Sequence, residues 1–297
     1  MFSFGTIKLG KIFGFEVELD YSWFLIFFLV TLNFTLNFFH EYNFSLVVSI
    51  VDGLLTAVLF FSSVIFHELC HCLIARFNKL PIKKITLFLF GGVAQMAEEP
   101  KSPRVEFKMA IAGPLSSLFL ALVFWIIYTF LNTFTLSDAI VTPFYWLALI
   151  NLWLGLFNLA PGFPLDGGRI LRAALWSWYK NVERATKIAS QFGQGFAFLL
   201  IAVGVFTVFL GYLGGVWFII LGLFLNRIAQ SSYQQLLLQK YLSGIKISAI
   251  MSRDVLTVSS NISLELLVDE YFLKHKFGRF PVIDGEKLVG IITLHQV

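Results

Sequence analysis

Long stretches without a single charged side chain constrain this sequence more than any other feature. Residues 21–39 contain neither charge nor histidine, and residues 53–75 are interrupted only by His67, Glu68 and His71. Residues 109–137 and 139–165 are equally clean, separated by Asp138, and residues 188–226 are uncharged throughout. A hydrocarbon layer about 30 Å thick is crossed by roughly 20 apolar residues in helix. The last stretch is too long for one crossing. Gly211-Tyr212-Leu213-Gly214-Gly215 breaks it into a helical hairpin. Six transmembrane helices are therefore expected. Only 13% of the 297 residues are charged, against about 25% in soluble domains. That excludes a soluble enzyme, a disordered chain and a nucleic-acid binder with a broad basic face.

Orientation follows from the basic residues. All 22 Lys and Arg fall in four regions: the N-terminal arm, the second-to-third loop, the fourth-to-fifth loop and the stretch after the sixth helix. The alternate loops hold none, so both termini are expected in the cytoplasm and the protein in the cell membrane. The net charge of +4 then lies on the side that meets anionic lipid, and no nucleic-acid partner is required. Residues 2–20 alternate apolar and polar side chains without a signal-peptide pattern, which predicts a short cytoplasmic strand.

His67-Glu68-Leu69-Cys70-His71 is an H-E-x-x-H motif. On a helix, positions i and i+4 share a face, so two imidazoles converge on one cation with a carboxylate beside them. Zinc accepts such ligands. Ionisable groups in hydrocarbon are costly unless paired, so the trio marks a functional site; the alternatives are a hydrogen-bonded polar cluster or a proton relay. At ~1.5 Å per residue, His71 lies ~8 Å and His67 ~14 Å inside Arg76, which ends the helix. Cys70 and Cys72 point to nearly opposite sides and read as packing residues, with no disulfide framework implied.

A catalytic zinc takes three protein ligands. The fourth span ends in Asn158-Leu159-Ala160-Pro161-Gly162-Phe163-Pro164-Leu165-Asp166-Gly167-Gly168-Arg169, where two prolines and a glycine break the helix. Asp166 in that break is either a third ligand at matching depth or a loop residue capping the helix that follows.

The pairing of His67-Glu68-x-x-His71 with Asn158-x-x-Pro161 and Leu165-Asp166-Gly167 resembles the site-2 protease family of intramembrane zinc metalloproteases. Phe90-Gly91-Gly92-Val93-Ala94 and Ala112-Gly113-Pro114-Leu115 are further matches. The resemblance covers roughly residues 1–235. It implies one Zn2+ held by His67, His71 and Asp166, with Glu68 as catalytic base and Asn158 stabilising the oxyanion or orienting the peptide. The implied reaction is hydrolysis of peptide bonds in single-span, membrane-tethered regulatory proteins. Residues 84–96 read as two β-prone runs around a Gly-Gly turn, a membrane-associated hairpin whose edge can pair with an unwound substrate strand.

From about Ile245 the composition becomes that of a soluble α/β unit, and residues 245–297 resemble a CBS domain, a module that often binds adenine nucleotides in pairs. The chain stops after Val297 where a second repeat would begin, so a truncated pair, or one completed by another chain as a homodimer, is expected. The fold expected is an α-helical polytopic membrane protein with a small cytoplasmic α/β CBS unit. The competing function is a CBS-regulated ion channel or transporter using the His/Glu pathway.

Overall fold

The computed structural model describes residues 5–96, 98–134, 136–242, 244–275 and 277–297. The first residues of the expected N-terminal strand, Phe2 to Phe4, lie outside the described residues. Contacts divide the chain into two compact units, Met1–Gln239 and Lys240–Val297.

In the first unit the chain runs β1 (Thr6–Ile12), β2 (Phe15–Asp20), α1 (Tyr21–His40), α2 (Leu46–Phe77), β3 (Ile82–Phe88), β4 (Gly91–Met96), α3 (Pro103–Thr133), α4 (Asp138–Asn158), α5 (Asp166–Tyr179), α6 (Val182–Phe209) and all but the last three residues of α7 (Gly215–Leu242). Six of these helices, α1, α2, α3, α4, α6 and α7, are long and apolar enough to cross a membrane. Their starts are chemically marked. The Asp20 carboxylate accepts from the Ser22 amide at 2.9 Å, and Ser45 and Ser102 cap α2 and α3 through their hydroxyls. The break between α6 and α7 falls at the glycine-rich segment, where Gly211 has φ +90°. Many Phe, Leu, Val and Ile side chains stay exposed on these helices, as a lipid-facing surface requires.

The sequence suggests a strand in one place and a hairpin in another; the fold joins them into one sheet. Its order is β1-β2-β3-β4, with β2 and β3 parallel and the outer pairs antiparallel. The N-terminal strand is itself a hairpin, turned at Phe13 and Gly14, both with positive φ. Alternate residues Phe15, Val17 and Leu19 of β2 are buried. Phe15 packs with Ile85 against Leu69 and Cys72 of α2, and Leu19 packs with Leu87 against Val64. The sheet therefore braces the segment of α2 that carries the H-E-x-x-H motif. Cys72 is fully buried in that contact, in keeping with a packing role.

The second unit contains α8 (Ile247–Ile250), β5 (Val258–Ser259), α9 (Leu264–Leu266) continuing into π-helical turns, β6 (Arg279–Asp284) and β7 (Lys287–Thr293). β5 runs parallel to β6, β6 antiparallel to β7, and Val258, Leu267, Phe272 and Phe280 form a core.

The β2–β3 junction carries an ion pair, Lys84 Nζ to Glu18 Oε2 at 2.7 Å. Glu18 is buried. The Lys84 hydrogen bond holds its carboxyl below the ordinary carboxylate value, with burial working in the opposite direction. A carboxylate with a depressed folded-state pKa stabilises above its unfolded value and loses that contribution as pH falls through the folded one. Glu18→Gln is expected to destabilise the protein by about 1–3 kcal/mol at neutral pH. The gap to wild type should close below about pH 4, read from thermal unfolding in detergent across that range.

Candidate metal centre

α2 presents His67 and His71 one turn apart on the same face. Both residues are buried, at 4% and 7% exposure. Their Nε2 atoms stand 3.2 Å apart, and Asp166 Oδ2 lies 3.1 Å from each. Asp166 is the first residue of α5. The position before it, Leu165, is the N-cap and makes no side-chain cap bond, so the capping reading of Asp166 fails and its carboxylate faces the imidazoles.

The outer nitrogens decide what the inner ones offer. His71 Nδ1 lies 2.6 Å from the Met109 carbonyl, which can only accept, so the proton sits on Nδ1 and a neutral imidazole turns the Nε2 lone pair inward. His67 Nδ1 lies 2.8 Å from Ser117 Oγ, which fixes the ring's orientation. A carboxylate oxygen and imidazole lone pairs then converge on one point, an arrangement that calls for a cation. Ligand atoms 2.0–2.1 Å from a tetrahedral zinc would be about 3.3 Å apart, close to the separations here. The donor set fits.

Space for an ion depends on Gly113 of α3. A Cβ there would stand 2.2 Å from His71 Nε2 and 2.5 Å from His67 Nε2. Pro114 follows within the helix, and Ser117 lies one turn on. The Ala-Gly-Pro-Leu motif was visible in the sequence; its use as a floor beneath the two rings was not. Ser117 carried one readable signal, its i+4 relation to Gly113.

His67, Glu68, His71, Asn158 and Asp166 all line one cavity of about 530 Å³, otherwise walled mainly by apolar residues and by β4. Glu68 lies under the β3–β4 turn, where a Cβ on Gly92 would come within 2.4 Å of its Cγ. Asn158, the last residue of α4, gives its Nδ2 to the Leu154 carbonyl at 3.0 Å. The turn that delivers Asp166 is welded to α6. Phe163 N donates to the Ala189 carbonyl at 3.2 Å, and a Cβ on Gly193 would meet the Phe163 carbonyl at 2.0 Å. Below it, α5 is tied to α3 by Arg172, which donates from Nε to Glu106 Oε1 at 2.6 Å, pairs again through Nη2 with the same oxygen and reaches Glu99 at 3.5 Å. Both Arg172 and Glu106 are buried. Neither residue stands out in the sequence as a partner of the other, being 66 positions apart.

Residues 55–142 and 133–202 match peptidase family M50, and residues 247–297 match the CBS domain. Rip3 of Mycobacterium tuberculosis is 34% identical over 295 residues, 98% of this chain and 75% of that protein. The zinc metalloprotease MJ0392 of Methanocaldococcus jannaschii is 33% identical, again over 98% of this chain and over 79% of the relative. A solved site-2 protease from Methanocaldococcus jannaschii superposes with a TM-score of 0.55 at 33% identity, covering 77% of this chain and 95% of the other. A multi-pass membrane chain with these relatives is, by class, an intramembrane zinc-dependent protease. More narrowly, it belongs to peptidase family M50, the site-2 proteases, and bears a CBS domain.

Gly113→Ala places a methyl group where the cation would sit. Zinc per purified chain is expected to fall towards zero while the detergent-solubilised protein keeps its helical circular dichroism; full zinc content in the variant would rule out the three-ligand site.

Proposed function

We propose that His67, His71 and Asp166 hold one Zn2+ per chain and that Glu68 acts as general base in peptide-bond hydrolysis. The observation that carries this reading is the convergence of His67 Nε2, His71 Nε2 and Asp166 Oδ2 within 3.2 Å of one another on the wall of a cavity that also exposes Glu68. Zinc, when bound, supplies Lewis acidity for a peptide carbonyl and acidifies the attacking water. The Met109 carbonyl and Ser117 hold the two imidazoles in their working orientations. The Glu68 carboxylate takes a proton from the attacking water and returns one to the leaving nitrogen. Asn158 gives one Nδ2 hydrogen to the Leu154 carbonyl; its second N–H and its Oδ1 suit it to stabilise the oxyanion or to orient the peptide.

The substrate must reach this site extended, because a helix protects its own peptide bonds. β4 is the terminal strand of the four-stranded sheet and lines the cavity from Gly91 to Ala94 and at Met96. This supports addition of an unwound substrate segment along its free edge, with main-chain hydrogen bonds supplying affinity without demanding a sequence. We take the substrates to be single-span, membrane-tethered regulatory proteins. The protease portion is residues 1–235, and residues 245–297 are the regulatory CBS module, with adenine nucleotide as its ligand class. The confinement of Lys and Arg to alternate loops supports a cell-membrane location with both termini in the cytoplasm.

Glu68→Gln is expected to lower kcat on a single-span model substrate by ~10²–10⁴-fold with zinc content unchanged; retained turnover removes Glu68 from the role of base. Proline scanned through Val93, Ala94 and Gln95 tests the strand. Where the amide points away from β3, KM should rise several-fold at constant zinc content. A flat scan would end the strand-addition reading.

A further inference from the structure

Two arginines stand one turn apart on α5, and their surroundings differ. Arg172 is saturated with carboxylates, holding Glu106 and Glu99. Arg169, one turn after Asp166, lines the active-site cavity. Its Nη2 lies 3.9 Å from the thioether of Met96, at the far end of β4. Among the described residues no carboxylate comes within ion-pair distance of its guanidinium, and no other Lys or Arg lines the cavity. A guanidinium carries five donors in a planar fork, more than one thioether contact engages. The geometry points to Arg169 as a substrate-binding residue that donates to main-chain carbonyl oxygens of the extended peptide lying along β4.

The acceptor follows from position. Gly92 lies on Glu68, Met96 lies on Arg169, and four strand residues span ~14 Å. A peptide paired with β4 would thus pass both the proposed base and the guanidinium. Such a contact reads backbone and not sequence, which suits an enzyme that cuts varied membrane segments.

This inference rests on the strand-addition reading of β4 and is tested separately from it. Full-length protein in detergent, loaded with zinc, would be assayed as Arg169→Met and Arg169→Lys on a single-span model substrate. Affinity for a fluorescent transmembrane peptide would be measured in the Glu68→Gln background, where no cutting interferes. Arg169→Met is expected to keep its zinc, lose about tenfold or more in peptide affinity and raise KM by a similar factor, with kcat changed less than threefold; Arg169→Lys falls between. Synthetic peptides with one amide replaced by an ester, a weaker carbonyl acceptor, should bind less well to the parent at one or two positions, and that penalty should vanish in Arg169→Met. Unchanged affinity in Arg169→Met overturns the assignment. So does zinc loss matching that of Asp166→Asn, which would make Arg169 structural. An affinity loss reproduced by removing an acidic side chain from the peptide overturns the backbone acceptor. If the β4 proline variants bind normally while Arg169→Met does not, strand addition fails and Arg169 remains a substrate contact.

Discussion

Everything in the first unit serves one costly arrangement: two imidazoles and a carboxylate held within 3.2 Å of one another at the edge of a hydrocarbon layer. Such groups remain there only if each inner lone pair meets a cation and each outer nitrogen meets a fixed partner. The outer partners come from α3, as the Met109 carbonyl and Ser117, and the carboxylate from the start of α5. Three helices must therefore keep register to within a fraction of an ångström. The packing around the site is what keeps it.

Glycine is the means of that packing. Gly113 allows α3 to pass under the two rings, Gly92 allows the hairpin turn to close on Glu68, and Gly193 allows the Phe163 carbonyl to lie against α6. In each case the neighbour is too close for any Cβ. Backbones that approach this closely gain dispersion contacts that larger side chains would prevent, which matters in a membrane where apolar burial drives no helix association. The buried Arg172–Glu106 pair adds a charge-assisted tie between α3 and α5 on the other side of Asp166, and the sheet braces α2 from outside.

How much of this was legible depended on distance along the chain. The H-E-x-x-H motif is local, and helical periodicity alone puts His67 and His71 on one face. Asp166 lies 95 residues beyond His71 and is legible as a ligand only through the broken helix around it and the family resemblance. Gly113 stands in a matched motif with Ser117 four residues on, but neither their contact with the imidazoles nor the Arg172–Glu106 pair is marked in the sequence, because the partners lie on other helices. Likewise, two β-rich segments were visible, but a parallel pairing of β2 with β3 across two intervening membrane helices follows from no local pattern.

The sequence by itself determined six segments long and apolar enough to cross a membrane, the confinement of Lys and Arg to alternate loops and the local spacing of the metal-binding motif. These depend on composition over about 20 residues or on the 3.6-residue turn, and neither needs a partner segment. Only the tertiary structure decided which lone pairs meet, where a cation fits, that β4 is the terminal strand of its sheet and that Arg169 enters the cavity with no carboxylate, among the described residues, within ion-pair distance. Those outcomes are set by contacts between helices and strands far apart in the chain, at distances that only close packing specifies.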